Sequence, residues 1–260
     1  SGARPHSALA QVTLPFAADE LVARDLEAAL DGALSVLAAA DCRLLGGHSM
    51  QGPELQLGFS VNGVLDGVAP LPKRGAAVGD VLLLTGALGI GALFAAHMQL
   101  RADGRHVAAA LAAMEQGNAD AAAIARAFGA RAVTDVTGFG LAGHLLEMLE
   151  ATQGARLEVA ALPVLAGARE AMDAGIFSTL HDANQRLVAP ALAAASLDAP
   201  AAQLLFDPQT SGGLLLAVPA AQAAGALAAL REAGCAAAQV GEVIEADAAE
   251  PRLELRGQFT

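Results

Sequence analysis

Hydrophobic and polar positions recur along the chain with periods that sort most of it into short elements. Ala8, Ala10, Val12 and Leu14 alternate with less apolar neighbours up to Pro15, the two-residue period of a strand closed by proline. Asp19 stands where a helix N-cap belongs. Leu26, Leu30, Leu34 and Leu37 then follow at three- and four-residue steps, one apolar stripe facing a core. After Cys42 the short run Arg43-Leu44-Leu45 is interrupted by Gly46-Gly47-His48-Ser49. From Glu54, Leu55, Leu57, Phe59 and Val61 alternate with Gln56, Gly58, Ser60 and Asn62, which predicts a strand with one covered face.

Proline and glycine cluster between Pro70 and Gly75, and the chain turns alanine-rich afterwards, so a first unit over 1–74 and a second over 75–260 are expected. In the second, Asp80 to Thr85 reads as a short buried strand. Helical spacing covers Ile90 to Leu100 and Val107 to Phe128, and a strand at Ala130 to Asp135 leads through a glycine turn into a helix ending near Glu150. A helix at Val164 to Ala174, an irregular stretch near Ile176 to Asn184, a strand at Leu214 to Val218, a helix at Ala221 to Ala233 and a strand at Gln239 to Glu245 complete the pattern. Single helices and helix pairs between strands, some at hairpin spacing, predict an α+β fold of helices layered on sheet.

Composition narrows the classes. In 260 residues, 55% are hydrophobic and 3% aromatic, so the core is built of many small contacts and the chain is not disordered. The net charge of −12 argues against nucleic acid or an anionic membrane as partner. Cys42 and Cys235 are too few and too far apart for a zinc site or disulfide scaffold, and read as small apolar residues. With so few cysteines the reducing cytoplasm is the default compartment, and no apolar run free of glycine, proline or charge reaches spanning length, so no membrane helix is expected.

Three stretches can carry chemistry. Gly46-Gly47-His48-Ser49 lets the backbone approach a ligand or form an anion nest, or is a plain bulge. In Thr134-Asp135-Val136-Thr137-Gly138-Phe139-Gly140 a carboxylate at a strand end precedes two glycines and a helix start, the pairing that Mg²⁺ and phosphate need; the alternative is that Asp135 or Thr137 caps the helix. Asp207-Pro208-Gln209-Thr210-Ser211-Gly212-Gly213 offers hydroxyl and backbone donors for phosphate oxygens, or is a turn with a bulge. No P-loop, Rossmann fingerprint or nucleophile elbow is present.

Together with Gly79-Asp80-Val81-Leu82-Leu83-Leu84-Thr85, and with the continuations Gly52-Pro53-Glu54, Leu141-Ala142-Gly143-His144 and Leu205-Phe206, these stretches resemble selenophosphate synthetase (selenide, water dikinase) in order and spacing over nearly the whole chain. The resemblance implies a two-domain aminoimidazole ribonucleotide synthetase-like fold, with sheets of two subunits pairing into a barrel and ATP near the dimer interface. It implies a reaction in which selenide, ATP and water give selenophosphate, AMP and phosphate with Mg²⁺. By motif, Asp135 resembles the family's magnesium ligand, and Gly46, Gly47 and His48 the segment that contacts ATP across the dimer. Thr137, Gly138, Asp207, Thr210, Ser211 and Gly212 resemble active-site lining. The family's reactive Cys or selenocysteine, nearby Lys and further metal-binding Asp residues have no counterpart here. The chain is therefore expected to be a C-terminal fragment with a truncated N-terminal domain, no catalytic residue of its own, no dikinase activity alone and weak nucleotide affinity. Its exposed sheet edge is expected to favour a dimer or higher oligomer. Ser178-Thr179-Leu180-His181-Asp182-Ala183-Asn184 departs from the family's Gly- and Arg-bearing segment. Another ATP-using enzyme of the superfamily, or a non-catalytic nucleotide-binding or dimerisation module, are the competing expectations.

Overall fold

A computed structural model describes residues 2–247 and 252–257 and divides the chain into two compact units, Gly2–Pro70 and Leu71 onward. The division falls before Leu71 rather than after Arg74, because Lys73 and Arg74 are anchored in the second unit: Lys73 Nζ donates to Glu147 Oε2 at 2.5 Å and Arg74 Nε to the Glu147 carbonyl at 3.3 Å.

The first unit is a three-stranded sheet in the order β2-β1-β3 with one helix. Strand β1 (Arg4–Pro15) runs parallel to β2 (Arg43–Gly52) and antiparallel to β3 (Gln56–Val64), and α1 (Asp19–Ala39) lies between β1 and β2 in the chain. Ala10, Val12 and Leu14 are buried under Val22, Leu26 and Leu30 of α1 and Leu44 of β2. The leucine stripe is half used, since Leu34 stays 44% exposed. Asp19 is the first helical residue and not the cap. Ala18 holds that position without a side-chain hydrogen bond, and Asp19 and Glu20 favour the helix start through its dipole.

Two expectations change here. The glycine pair does not interrupt β2: the strand runs through it, with Ala8 opposite Leu44 and Leu9 opposite Gly46, so Leu45 is the extra residue of a β-bulge. The alternation in β3 is real, but the face carrying Leu57, Phe59 and Val61 is uncovered. Register sets these three opposite Val12, Ala10 and Ala8, on the face that α1 shields, yet they are 37 to 54% exposed.

The second unit is a six-stranded sheet in the order β5-β7-β4-β8-β6-β9, antiparallel except for β6 with β9. Its strands are β4 (Val81–Leu84), β5 (Ala132–Asp135), β6 (Gln153–Glu158), β7 (Leu214–Val218), β8 (Ala238–Glu245) and β9 (Leu253–Arg256). Leu82 and Leu84 point to one face, where α2 (Ile90–Met98), α5 (Gly140–Met148), α6 (Ala168–Asp173) and α9 (Pro200–Phe206) pack. Leu83, Val133 and Leu216 point to the other, against α4 (Ala119–Ala127) and α10 (Ala220–Glu232). Burying each leucine contributes roughly 2 kcal/mol. A sheet covered on both faces explains the continuous apolar runs in β4 and β7. The expected helix from Val107 to Phe128 is two, α3 (Gly104–Glu115) and α4, broken at Gln116-Gly117-Asn118. The irregular stretch runs into α7 (His181–Val188), and α8 (Ala194–Leu197) precedes α9. Among the described residues no helix is long and apolar enough to cross a membrane.

Candidate functional site

Three loops meet at one end of the larger sheet, because β5 and β4 finish where the antiparallel β7 begins. Asp135 pairs with Leu214, and Leu84 with Leu215. Backbone hydrogen bonds then join the loops: Val136 N–H donates to the Gly213 carbonyl at 2.9 Å and Gln209 N–H to the Thr137 carbonyl at 3.0 Å. Thr85 ties in the third loop, since its N–H donates to the Leu214 carbonyl at 2.9 Å and its hydroxyl accepts from Leu214 N–H at 2.8 Å. Glycine is required by the closeness of this packing. A Cβ on Gly212 would lie 2.1 Å from the Val136 carbonyl oxygen, and one on Gly91 would lie 2.6 Å from Asp207 Oδ1.

Asp135 is exposed at the end of its strand, whereas Val136 beside it is fully buried and Thr137 half-buried. Neither Asp135 nor Thr137 caps the following helix: α5 starts after Phe139 with no side-chain cap. The Asp135 carboxylate therefore stands free of that structural duty, at a glycine turn that leads into a helix N-terminus.

Asp207 behaves differently from the expectation that it lines the site. Its side chain is fully buried and faces inward, where Oδ2 accepts from Gly91 N–H at 3.0 Å and from Gln209 Nε2 at 2.9 Å. Gln209 Oε1 accepts from Gly89 and Ile90 N–H at 3.2 and 3.3 Å. The pair thus satisfies the open donors at the start of α2. Burial pushes the Asp207 carboxyl up to about 7, against the pull of its hydrogen bonds, and Oδ1 has no partner. Gly212 is also buried, whereas Thr210 and Ser211 are exposed, with Ser211 in the left-handed region at φ +54°.

Side chains from neighbouring elements clamp the loops. Asn184 Nδ2 donates to the carbonyls of Gly138 and Phe206 at 2.8 and 2.9 Å, and Asn118 Nδ2 to that of Gly212 at 2.9 Å. His181 is buried with its ring 4.3 Å from that of Phe177 and 5.8 Å from that of Phe206.

His144, Glu147 and Lys73 form a further connected group behind Thr137. Thr137 Oγ1 lies 3.1 Å from His144 Nε2, and His144 Nδ1 lies 3.2 Å from Glu147 Oε2, misaligned for a hydrogen bond. Burial lowers the proton affinity of His144, and Lys73 holds the Glu147 carboxyl below its ordinary value. The sequence carried a signal for this group in the helical i, i+3 spacing of His144 and Glu147.

Gly46, Gly47 and His48 lie on β2 in the first unit. Gly47 is glycine because a Cβ there would fall 1.9 Å from the Ala10 carbonyl oxygen. Its close approach is to β1, and a continuous strand does not form an anion nest. His48 is exposed and borders cavities of about 200 and 550 Å³, the first shared with Leu26 and Leu30, the second with Gln11 and Ser60.

Among the described residues no three His, Cys, Asp or Glu side chains are grouped to hold a metal. One exposed carboxylate fits a hard cation that arrives on phosphate oxygens and keeps most of its waters, as Mg²⁺ does, and does not fit a metal held by protein ligands alone.

Comparison with known proteins agrees with this architecture. Residues 77–254 match the family described as AIR synthase related protein, C-terminal domain. The chain is 37% identical over 264 residues to a selenide, water dikinase of Myxococcus xanthus, covering 98% of this chain and 72% of that protein. It is 40% identical over 218 residues to one of Paraburkholderia xenovorans, covering 83% and 61%. The crystal structure of Escherichia coli HypE, a hydrogenase maturation protein, superposes with a TM-score of 0.70 at 20% identity, covering 99% of this chain and 71% of that one, a likeness of fold. With most of a relative's length matched at this identity, the chain belongs to the selenide, water dikinase family and carries its AIR synthase-related C-terminal domain.

Proposed function

We propose that the chain serves ATP-dependent formation of selenophosphate, with Asp135 as a ligand of the Mg²⁺ carried by the nucleotide phosphates. In that reaction selenide, ATP and water give selenophosphate, AMP and phosphate. The supporting observation is Asp135 itself, an exposed carboxylate at the meeting point of three glycine-bearing loops and not engaged in capping α5.

Phosphoryl transfer depends mainly on positioning and on neutralising oxygen charge. Bound Mg²⁺ supplies that neutralisation. Asp135 holds the cation side of the site, and the first N–H groups of α5 favour an anion beside it. The exposed Thr210 and Ser211 offer hydroxyl donors to phosphate oxygens. The buried Asn184 and Gln209 and the half-buried Asn118 keep these loops in place without meeting substrate. His48, with Gly46 and Gly47, provides a nucleotide contact to a second copy of the chain. The uncovered strip of Leu57, Phe59 and Val61 supports such a homodimer.

The test is calorimetric titration of the 260-residue chain with a non-hydrolysable ATP analogue, with and without Mg²⁺. Asp135→Asn is expected to remove the Mg²⁺-dependent part of the binding, with an unchanged circular dichroism spectrum. Equal Mg²⁺-dependent binding by the variant, or none by the parent chain, overturns the reading.

A further inference from the structure

We propose that His144 is a positioning residue held as its Nδ1–H tautomer by Glu147 and Lys73, so that Nε2 accepts the Thr137 hydroxyl hydrogen and leaves the Thr137 oxygen lone pairs free to accept from a water of the hydrated cation at Asp135. This inference rests on the cation reading of Asp135.

The order of groups carries it. Lys73 Nζ lies 2.5 Å from Glu147 Oε2, the same oxygen lies 3.2 Å from His144 Nδ1, and Nε2 lies 3.1 Å from Thr137 Oγ1. A neutral imidazole has one donor and one acceptor nitrogen, and the hydrogen bonds around it select which is which. Burial disfavours the imidazolium and so favours the neutral ring, while Lys73 favours the ionised form of Glu147. A carboxylate 3.2 Å from Nδ1 repels a lone pair there and attracts an N–H even without ideal alignment. The proton therefore sits on Nδ1 and the lone pair on Nε2. A hydroxyl has one donor hydrogen and two acceptor lone pairs, so a Thr137 hydroxyl that donates inward has only acceptor capacity left. That suits a metal-bound water, which can only donate. In the other tautomer Nε2–H would occupy a Thr137 lone pair and free the hydroxyl hydrogen to point outward, the wrong polarity for such a water.

Placement agrees. Val136, whose N–H extends the β5–β7 pairing to the Gly213 carbonyl, is buried between an exposed Asp135 and a half-buried Thr137, an alternation consistent with the outer two sharing a side. Asp135 is also close enough to act electrostatically on His144. The Thr137 carbonyl accepts from Gly140 and Gln209 N–H, both at 3.0 Å, which fixes the residue's backbone. The hydroxyl rotor is left as the freedom that His144 removes. Partners of this kind, one step behind a metal site, orient its inner groups.

Two measurements on the 260-residue chain test this. Long-range ¹H–¹⁵N correlation spectra without nucleotide report the tautomer directly. His144 is expected to show a protonated Nδ1 and an acceptor Nε2, and Glu147→Gln, at a half-exposed position, is expected to shift it toward the Nε2–H form. The second measurement is titration with Mg²⁺ and a non-hydrolysable ATP analogue. Thr137→Val is expected to weaken Mg²⁺-dependent binding about tenfold, the factor given by about 1.4 kcal/mol of lost hydrogen bonding, and Thr137→Ser to restore it. Glu147→Gln is expected to weaken binding in the parent chain and to have no further effect in the Thr137→Val background. An Nε2–H tautomer in the parent chain overturns the inference, as does a Glu147→Gln effect of equal size in both backgrounds, which is what a purely structural role gives. If Asp135→Asn leaves Mg²⁺-dependent binding intact, the cation reading fails and takes the outward role of Thr137 with it, while the tautomer result separates that failure from a failure of the relay.

Discussion

Asp207 Oδ2 accepts a hydrogen bond from the backbone N–H of Gly91 at 3.0 Å, joining the 207–213 turn to the start of α2 across 116 positions of sequence. A carboxylate at a helix N-terminus is ordinarily favourable, but this one is sealed from solvent and one of its oxygens has no partner. Burial outweighs the hydrogen bonds from Gln209, Gly91 and Ala92, and the group titrates near 7 instead of 3.8. The folded chain then keeps a proton that the unfolded chain has already released. Stability from this group is accordingly greatest below about pH 4, declines as pH rises toward 7, and levels off above it. Asp207→Asn keeps an acceptor toward Gly91 and cannot ionise. Its urea midpoint is expected to be flatter than that of the parent between pH 5 and 8, with a difference on the order of a few kcal/mol at the alkaline end. Parallel pH profiles for the two chains would refute it.

How much of this was legible in the sequence differs by element. Strands β4, β5 and β7 were readable because burial on both faces leaves short apolar runs between glycine and aspartate punctuation. Strands β6 and β9 were not. Gln153–Glu158 and Leu253–Arg256 carry arginine and glutamate, and Arg156 is held by Glu242 and Glu254 across the sheet, a pairing that only tertiary structure supplies. The position of Asp135 at a strand end could be read, whereas its neighbour in the motif set, Asp207, looked equally polar and is interior. Spacing reports that a carboxylate stands near a turn, and not whether a helix such as α2 has closed over it.

Gly212 is where the site loop and the β5 exit touch. A Cβ there meets the Val136 carbonyl oxygen at 2.1 Å, a backbone atom that cannot swing aside. Gly212→Ala is expected to cost about 2–3 kcal/mol by thermal or urea unfolding. A loss under 0.5 kcal/mol would mean the loop shifts freely, and the close packing beside Asp135 would lose its significance.

Asn184 serves two carbonyls with one amide group, those of Gly138 in the site turn and Phe206 at the end of α9. Asn184→Ala is expected to destabilise by about 2 kcal/mol, since the Phe206 carbonyl is left buried and unpaired. Asn184→Asp should be worse, because it sets a carboxylate against both oxygens. Hydrogen exchange at Gly140 and Leu141 is the local readout, and unchanged protection there would show that the turn does not depend on this clamp.

Asp80 is 1% exposed at its side chain and relies on Arg131 Nη1 at 2.7 Å and on the Ala77 N–H at 2.8 Å. Removing one partner of a buried pair strands the other charge. Arg131 is half-exposed, so the cost is expected to fall below the roughly 3–5 kcal/mol of a fully enclosed pair. For Arg131→Met we expect about 2 kcal/mol in urea unfolding, and Arg131→Lys, which keeps the charge and loses the planar fork, should recover part of it. Equal stability of Arg131→Met and the parent would indicate that the Ala77 N–H alone satisfies the carboxylate.

The apolar strip on β3 leads to a prediction about association. Leu57, Phe59 and Val61 lie on the face where α1 packs over Ala10 and Val12, but they remain 48, 37 and 54% exposed. β3 is also an edge strand with its outer backbone groups unpaired, a combination that favours another surface of the same kind. If a second copy of the chain covers it, sedimentation velocity will show concentration-dependent dimers for the parent. The double replacement Phe59→Glu with Val61→Glu will shift the population to single chains, because two carboxylates would have to be buried without partners. Both side chains are half-solvated already, so the circular dichroism spectrum of the variant should match the parent's. A parent chain that sediments as a monomer at every concentration, or a double variant that still dimerises, would place the contact elsewhere or remove it.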